Sequence, residues 1–152
     1  MVAATAGGYS RRSNIDLDSK LSFRDAQLAG INAQIAVVDD DAGVRDAIAN
    51  LLRALDYDVT TFDSGQAFMG SGTAVGTRCL IADVQMPEMS GIELLERIDA
   101  EHFAIPTIFV TAHPRAAIRA QAMKLGAVAY LDKPIRQQAL LDCVEKALRS
   151  PA

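Results

Sequence analysis

From Gln34 onward two hydrophobic rhythms alternate along the chain. Short apolar, β-branched runs, QIAVVD, YDVTTF, TRCLIAD, PTIFVT and AVAYLD, have the length and composition of buried strands. Between them lie stretches with helical spacing. DAGVRDAIANLLRALD places Val44, Ile48, Leu51, Leu52 and Leu55 on one face, with Asp40 or Asp41 as the N-cap. SGQAFMG predicts a short helix and GSGTAVG a flexible connection. SGIELLERIDA opens with Ser90 and Glu93 in capping-box spacing. PRAAIRAQAMKLG carries proline at its first turn and Gly126 at its end. IRQQALLDCVEKALR turns Ile135, Leu140, Leu141, Val144 and Leu148 inward.

Strand and helix alternating in this way predict an α/β fold, a doubly wound five-stranded parallel sheet with helices on both faces and right-handed crossovers. In such sheets the chemistry gathers at the carboxyl ends of the strands. Residues 1–33 break the rhythm: they are rich in small and polar residues, and we expect a flexible N-terminal extension ahead of a single domain over residues 34–150. Ile15, Leu17, Leu21 and Phe23 give that extension an alternative use as a docking segment.

Composition narrows the function. The chain has 152 residues, half of them apolar, and 15 basic against 19 acidic residues give a net charge of −4. That balance gives no reason to coat nucleic acid or anionic lipid directly. Cys79 and Cys143 are too few for a disulfide framework and read as reduced core thiols. The opening MVAATAGGYSRR lacks the apolar core of a signal peptide, and no run is long enough to span a membrane. We therefore expect a cytoplasmic protein.

The strand ends carry the chemistry. Strand one ends in Asp39-Asp40-Asp41, strand three in Asp83, strand four in Thr111, and strand five is followed by Lys133-Pro134. Carboxylates gathered at one rim repel and call for a cation. An all-oxygen set suits Mg²⁺, and no paired His or Cys competes for zinc. A carboxylate held rigidly at a sheet end is a competent nucleophile toward phosphorus. Phosphoryl transfer asks the protein mainly for positioning and charge stabilisation. Asp40 and Asp83 can hold the metal, Lys133 can pair with a phosphoryl oxygen, and the Thr111 hydroxyl can hydrogen-bond another.

Four motifs in order, VVDDD, DVQMPEMSG, VTAH and AYLDKP, make residues 34–149 resemble a response-regulator receiver domain. VTAH, AMKLGAVAYLDKP and MPEMSGIELL are most similar to receivers of the FixJ type, often joined to a DNA-binding helix-turn-helix. The resemblance implies a (βα)5 flavodoxin-like fold with strand order 2-1-3-4-5. It makes Asp83 the phosphoacceptor, Asp40 the main metal ligand, Asp39 a second, and the backbone carbonyl of Gln85 the last protein ligand. It assigns Lys133 to the phosphoryl group, Thr111 and Tyr130 to a switch pair, Gln85 and His113 to tuning the phosphate lifetime, and a cis bond to Pro134. Asp41 is left as a cap. Ile135 departs from the family, in which an aromatic often follows Lys-Pro. No output domain follows before Ala152, and residues 1–33 lie outside the resemblance.

The implied function is a two-component phosphorelay module. It takes a phosphoryl group from a sensor histidine kinase or phosphotransfer protein and switches conformation, catalysing only its own phosphorylation and dephosphorylation. The signal is expected to leave through the face of the fourth helix, fifth strand and fifth helix, which carries Arg115, Arg119 and Lys124, toward an effector or a second copy. On that reading Tyr130 turns from exposed to buried. Two other classes compete. An aspartyl-phosphate phosphatase or phosphotransferase needs a general acid two residues after its nucleophile, and Gln85 cannot serve. A phosphorylation-independent adaptor with this fold would have no use for Asp39, Asp40, Asp83, Thr111 and Lys133 together.

Overall fold

The computed structural model describes residues 34–149. The expected extension 1–33 and its apolar residues lie outside the described residues. Five strands, β1 (Gln34–Val38), β2 (Asp58–Phe62), β3 (Cys79–Asp83), β4 (Thr107–Thr111) and β5 (Ala129–Asp132), alternate with five helices, α1 (Ala42–Ala54), α2 (Gly65–Gly70), α3 (Gly91–Ala100), α4 (Ala116–Lys124) and α5 (Gln137–Arg149). All strand pairs are parallel, and the sheet order is β2-β1-β3-β4-β5. From β1, near the middle of the sheet, the described chain moves to one edge, crosses back and finishes at the other.

Alternation along each strand divides the core in two. Ala36, Val38, Leu80, Ala82, Phe109 and Tyr130 share one face, packed with Phe68 of α2, Ile92, Leu95 and Ile98 of α3, and Ala122 of α4. Ile35, Val37, Ile81, Ile108 and Val110 are buried on the other face, where α1 packs on β1 and β2, and α5 on β3 and β4. Every residue of β3 and β4 is buried, as a central strand covered on both sides requires. A fully buried Leu, Ile or Phe contributes about 1.5–3 kcal/mol, so these two strands form a rigid base for whatever their ends carry.

Local rules set the helix boundaries. Asp41 caps α1 by accepting from the amides of Gly43 and Val44, which settles the choice between Asp40 and Asp41. Ser90 and Glu93 form the reciprocal capping box of α3. Several expectations shift. Leu55 is the C-cap of α1 and is exposed, because the chain reverses at Asp56 with φ 69° and Tyr57 takes the buried position. GSGTAVG contains a 3-10 turn over Thr73–Gly76. Pro114 precedes the N-cap Arg115 and so lies before the first turn of α4. Ile135 lies ahead of α5, and both Leu141 and Cys143 are only half-buried. The last shift follows from helical geometry: Leu140, Val144, Ala147 and Leu148 fill the buried stripe, leaving Leu141 and Cys143 on its flanks.

Candidate functional site

The sheet order places β1 beside β3, so the acid that follows β1 meets the acid that ends β3. Both are buried: Asp39 is 0% exposed and Asp83 5%. Asp39 is fixed by its own backbone, with its amide donating to the Phe62 carbonyl at 3.1 Å. Its Oδ1 accepts from the amide of Asp41 at 2.9 Å. The Arg45 guanidinium, on the first turns of α1, donates to the Asp39 carbonyl at 2.7 Å. Asp83 Oδ1 accepts from the Gln85 amide at 3.3 Å.

Lys133 closes the group from the far side of β4. Its amide donates to the Thr111 carbonyl at 2.7 Å, and the Lys133–Pro134 bond is cis. Its ammonium lies 3.0 Å from Asp39 Oδ2 and 3.3 Å from Asp83 Oδ2. One cation therefore bridges the two acids. Burial is the main reason the Asp83 carboxyl is pushed above its ordinary range. The Asp39 charge adds to it, while the Lys133 charge and the Gln85 and Lys133 hydrogen bonds hold it down. On Lys133 burial acts downward, but the hydrogen bond and charge of Asp39, followed by those of Asp83, outweigh it and the ammonium is raised. A carboxylate whose ionised form is held at a cost, next to a fixed cation, is a strained nucleophile.

Asp40 is exposed at the mouth of the site. Carboxylate oxygens of Asp39, Asp40 and Asp83 all lie within 4.8 Å of one another. An all-oxygen set of this size, with one face open, fits a hard cation that keeps some of its water, which is the habit of Mg²⁺. Asp41 turns away into its helix cap, so the acids at the β1 end divide between site and cap.

Thr111 ends β4, fully buried, and its hydroxyl oxygen accepts from the His113 amide at 3.1 Å. Its hydroxyl proton is left to donate elsewhere. His113 and Gln85 are exposed on the two flanking loops. Tyr130 pairs with Phe109 across β4 and β5, which puts it on the same sheet face as Thr111. Its ring occupies the inward position, 6% exposed.

Sequence reasoning left two contributors without a role. Arg45 braces the Asp39 backbone; the signal was an arginine four residues beyond the Asp41 cap. Gly91 follows the capping serine, and its amide donates to the Val84 carbonyl at 2.9 Å. A Cβ built there would collide with the Asp83 carbonyl oxygen and stand 3.0 Å from Phe109 Cε1. The signal was a glycine at the first position of a helix, where no left-handed φ requires one.

Residues 35–145 match the family model of the response regulator receiver domain. The chain belongs to that family. The transcriptional regulatory protein FixJ of Bradyrhizobium diazoefficiens is 40% identical over 115 residues, covering 76% of this chain and 56% of that protein. The transcriptional regulatory protein TdiR of Thauera aromatica is 39% identical over 123 residues, covering 81% and 54%. The crystal structure of FixJ-N superposes with a TM-score of 0.72 at 31% identity, over 80% of this chain and 97% of that one. The likeness is thus to FixJ-type receivers, and this chain spans about half the length of the curated relatives it matches. A receiver domain is the phosphoryl-accepting module of a two-component response regulator, and it binds Mg²⁺ at an acidic pocket of the kind described above. Among the described residues no helix is long and apolar enough to cross a membrane.

Proposed function

We propose that Asp83 is the phosphoacceptor of this receiver and that its donor is a phosphohistidine on a sensor histidine kinase or phosphotransfer protein. The observation that carries the reading is the Lys133 ammonium lying within 3.3 Å of Asp83 and 3.0 Å of Asp39, which gives a buried nucleophile a fixed counter-charge. In the transfer an Asp83 carboxylate oxygen forms the new P–O bond, the P–N bond breaks, and the imidazole nitrogen leaves with the electron pair. Lys133 then exchanges its contact with Asp83 for one with a phosphoryl oxygen. The Thr111 hydroxyl, already oriented by the His113 amide, donates to another.

Mg²⁺ would be held by Asp39, Asp40, Asp83 and the Gln85 carbonyl. When bound it offsets the charge that gathers on the phosphoryl oxygens. Gln85 and His113 border the site and are the positions we assign to controlling how long the acyl phosphate survives. The same machinery would catalyse slow hydrolysis of that acyl phosphate, without turnover of other substrates. Tyr130 follows Thr111, and the α4–β5–α5 face passes the change to an effector or a second copy in the cytoplasm. Residues 34–150 would constitute the receiver, and a chain beginning at Asn32 would accept phosphate as the full chain does. FixJ and TdiR are named as transcriptional regulators, and we extend to this chain the role of controlling transcription through an output partner or domain.

The test is phosphotransfer from a labelled histidine kinase in the presence of Mg²⁺. Asp83→Asn should remove the acid-stable, base-labile label. Label retained at full strength in that variant would overturn the assignment.

A further inference from the structure

Arg119, on α4, is exposed yet makes two contacts to one residue of the sheet. Its guanidinium donates to the Tyr130 carbonyl at 3.2 Å, and its guanidinium carbon lies 5.9 Å from the centroid of the Tyr130 ring. Both distances are within the reach of real interactions, the second as a cation–π contact. The helix that carries Arg119 is otherwise weakly attached. Only Ala122 of α4 is buried, Ile118 is half-buried, and Met123 is 42% exposed.

The inward ring of Tyr130 has a cost of its own. Its hydroxyl is buried with no hydrogen-bond partner among the described residues, and an unmet buried hydroxyl opposes the state that buries it. Packing of the ring against the α2–α4 side of the core favours the inward position. Arg119 adds an attraction to the ring in this position, tied to the backbone of the same residue. The observed cation–π contact belongs to the inward ring.

We propose that Arg119 is a positioning residue, a clasp from α4 that holds Tyr130 inward and thereby sets the balance between the two positions of the switch. The balance is then shared by three elements: the ring, its unmet hydroxyl and the clasp. Any partner that draws Arg119 away, through a carboxylate on its own surface, loosens Tyr130; a phosphoryl group that favours inward Tyr130 tightens Arg119 against β5. The direction of coupling to Asp83 rests on the switch-pair reading of Thr111 and Tyr130, whereas the hold of Arg119 on Tyr130 does not.

The experiment is ¹⁹F NMR of the full chain labelled with 3-fluorotyrosine. The chain has three tyrosines, and Tyr130→Phe assigns the signal. Arg119→Ala should move the Tyr130 signal toward the solvent-exposed position, with the inward-to-outward ratio falling roughly three- to tenfold. Arg119→Lys should fall between that variant and the wild type, because an ammonium reaches the ring but lacks the fork. Beryllofluoride with Mg²⁺ should restore the inward signal in Arg119→Ala, with an apparent affinity weakened in proportion to the fall in the inward fraction. A Tyr130 signal identical in wild type, Arg119→Ala and Arg119→Lys would overturn the clasp. If Arg119→Ala shifts the signal and beryllofluoride does not bring it back, the clasp stands and the switch-pair reading fails.

Discussion

Gly91 packs so tightly beneath Asp83 that a β-carbon at position 91 would collide with the Asp83 carbonyl oxygen. The helix that begins at Gly91 is therefore seated directly on the strand end that presents Asp83. The close approach also lets the Gly91 amide satisfy the Val84 carbonyl, so the turn after β3 has its backbone bonds met.

Gly91→Ala should push α3 and the Asp83 backbone apart. We expect a loss of about 1–3 kcal/mol, the usual cost of overpacking. Phosphotransfer should slow roughly tenfold or more, since a misplacement of about 1 Å can cost about a hundredfold where catalysis works by positioning. Urea denaturation and single-turnover transfer measure the two effects. A variant of wild-type rate would show that the strand end yields without disturbing its side chain.

Lys133→Met removes the shared counter-charge of Asp39 and Asp83. Transfer should fall on the order of a hundredfold, the scale of losing one charge-stabilising donor. Mg²⁺ binding should tighten, because two uncompensated carboxylates attract a divalent cation more strongly. The chain has no tryptophan, so calorimetry is the suitable readout. Weaker metal binding would mean that Lys133 organises the acids and does not merely neutralise them.

With a chelator present, Asp83→Asn should raise the urea midpoint at neutral pH. The Asp83 carboxyl is pushed up, mainly by burial and then by Asp39. The unfolded chain therefore releases this proton at a lower pH than the folded one. Across that window stability falls as pH rises, and the ionised group is a net cost at neutrality. Asp40→Ala should keep the fold and lose metal-dependent transfer. A large drop in the chelated stability of Asp40→Ala would contradict the repulsion argument.

Alkaline pH should destabilise the fold partly through Cys79. Burial pushes its thiol up to about 12, with Cys143 adding to the effect. The unfolded thiol ionises near pH 8.5–9, roughly its free value, so the unfolded state is favoured as pH climbs from there toward 12. The loss approaches about 1.4 kcal/mol per pH unit for one group. Tyr57 and Lys133 are raised as well and act in the same direction. Cys79→Ala should therefore reduce the slope of stability between pH 9 and 10.5 without abolishing it. An unchanged slope would mean that the thiol does not titrate in this window.

Hydrophobic rhythm alone determined the class of fold, the number of strands and the residues at their carboxyl ends, because burial on a period of two or 3.6 is a local property of the chain. Cap chemistry is equally local, and Ser90 with Glu93 is legible in the sequence alone. The sequence also delivered Asp83, Asp39, Asp40, Thr111 and Lys133 to one rim, since parallel strands all end at the same edge. Hydrophobic and cap patterns alone left both Asp40 and Asp41 open as the cap, and only the family resemblance set Asp41 aside for it; the two differ in use because Asp41 begins a helix whose axis is set by α1 packing on β1 and β2. The bridging of Asp39 and Asp83 by Lys133 depends on β1 and β4 flanking β3, a relation among strands distant in sequence. The collision space at Gly91, the brace from Arg45 and the contact of Arg119 with Tyr130 likewise arise only when packed elements approach to a few ångströms. Such distances are fixed by the sum of all core contacts, and no single stretch of sequence encodes them.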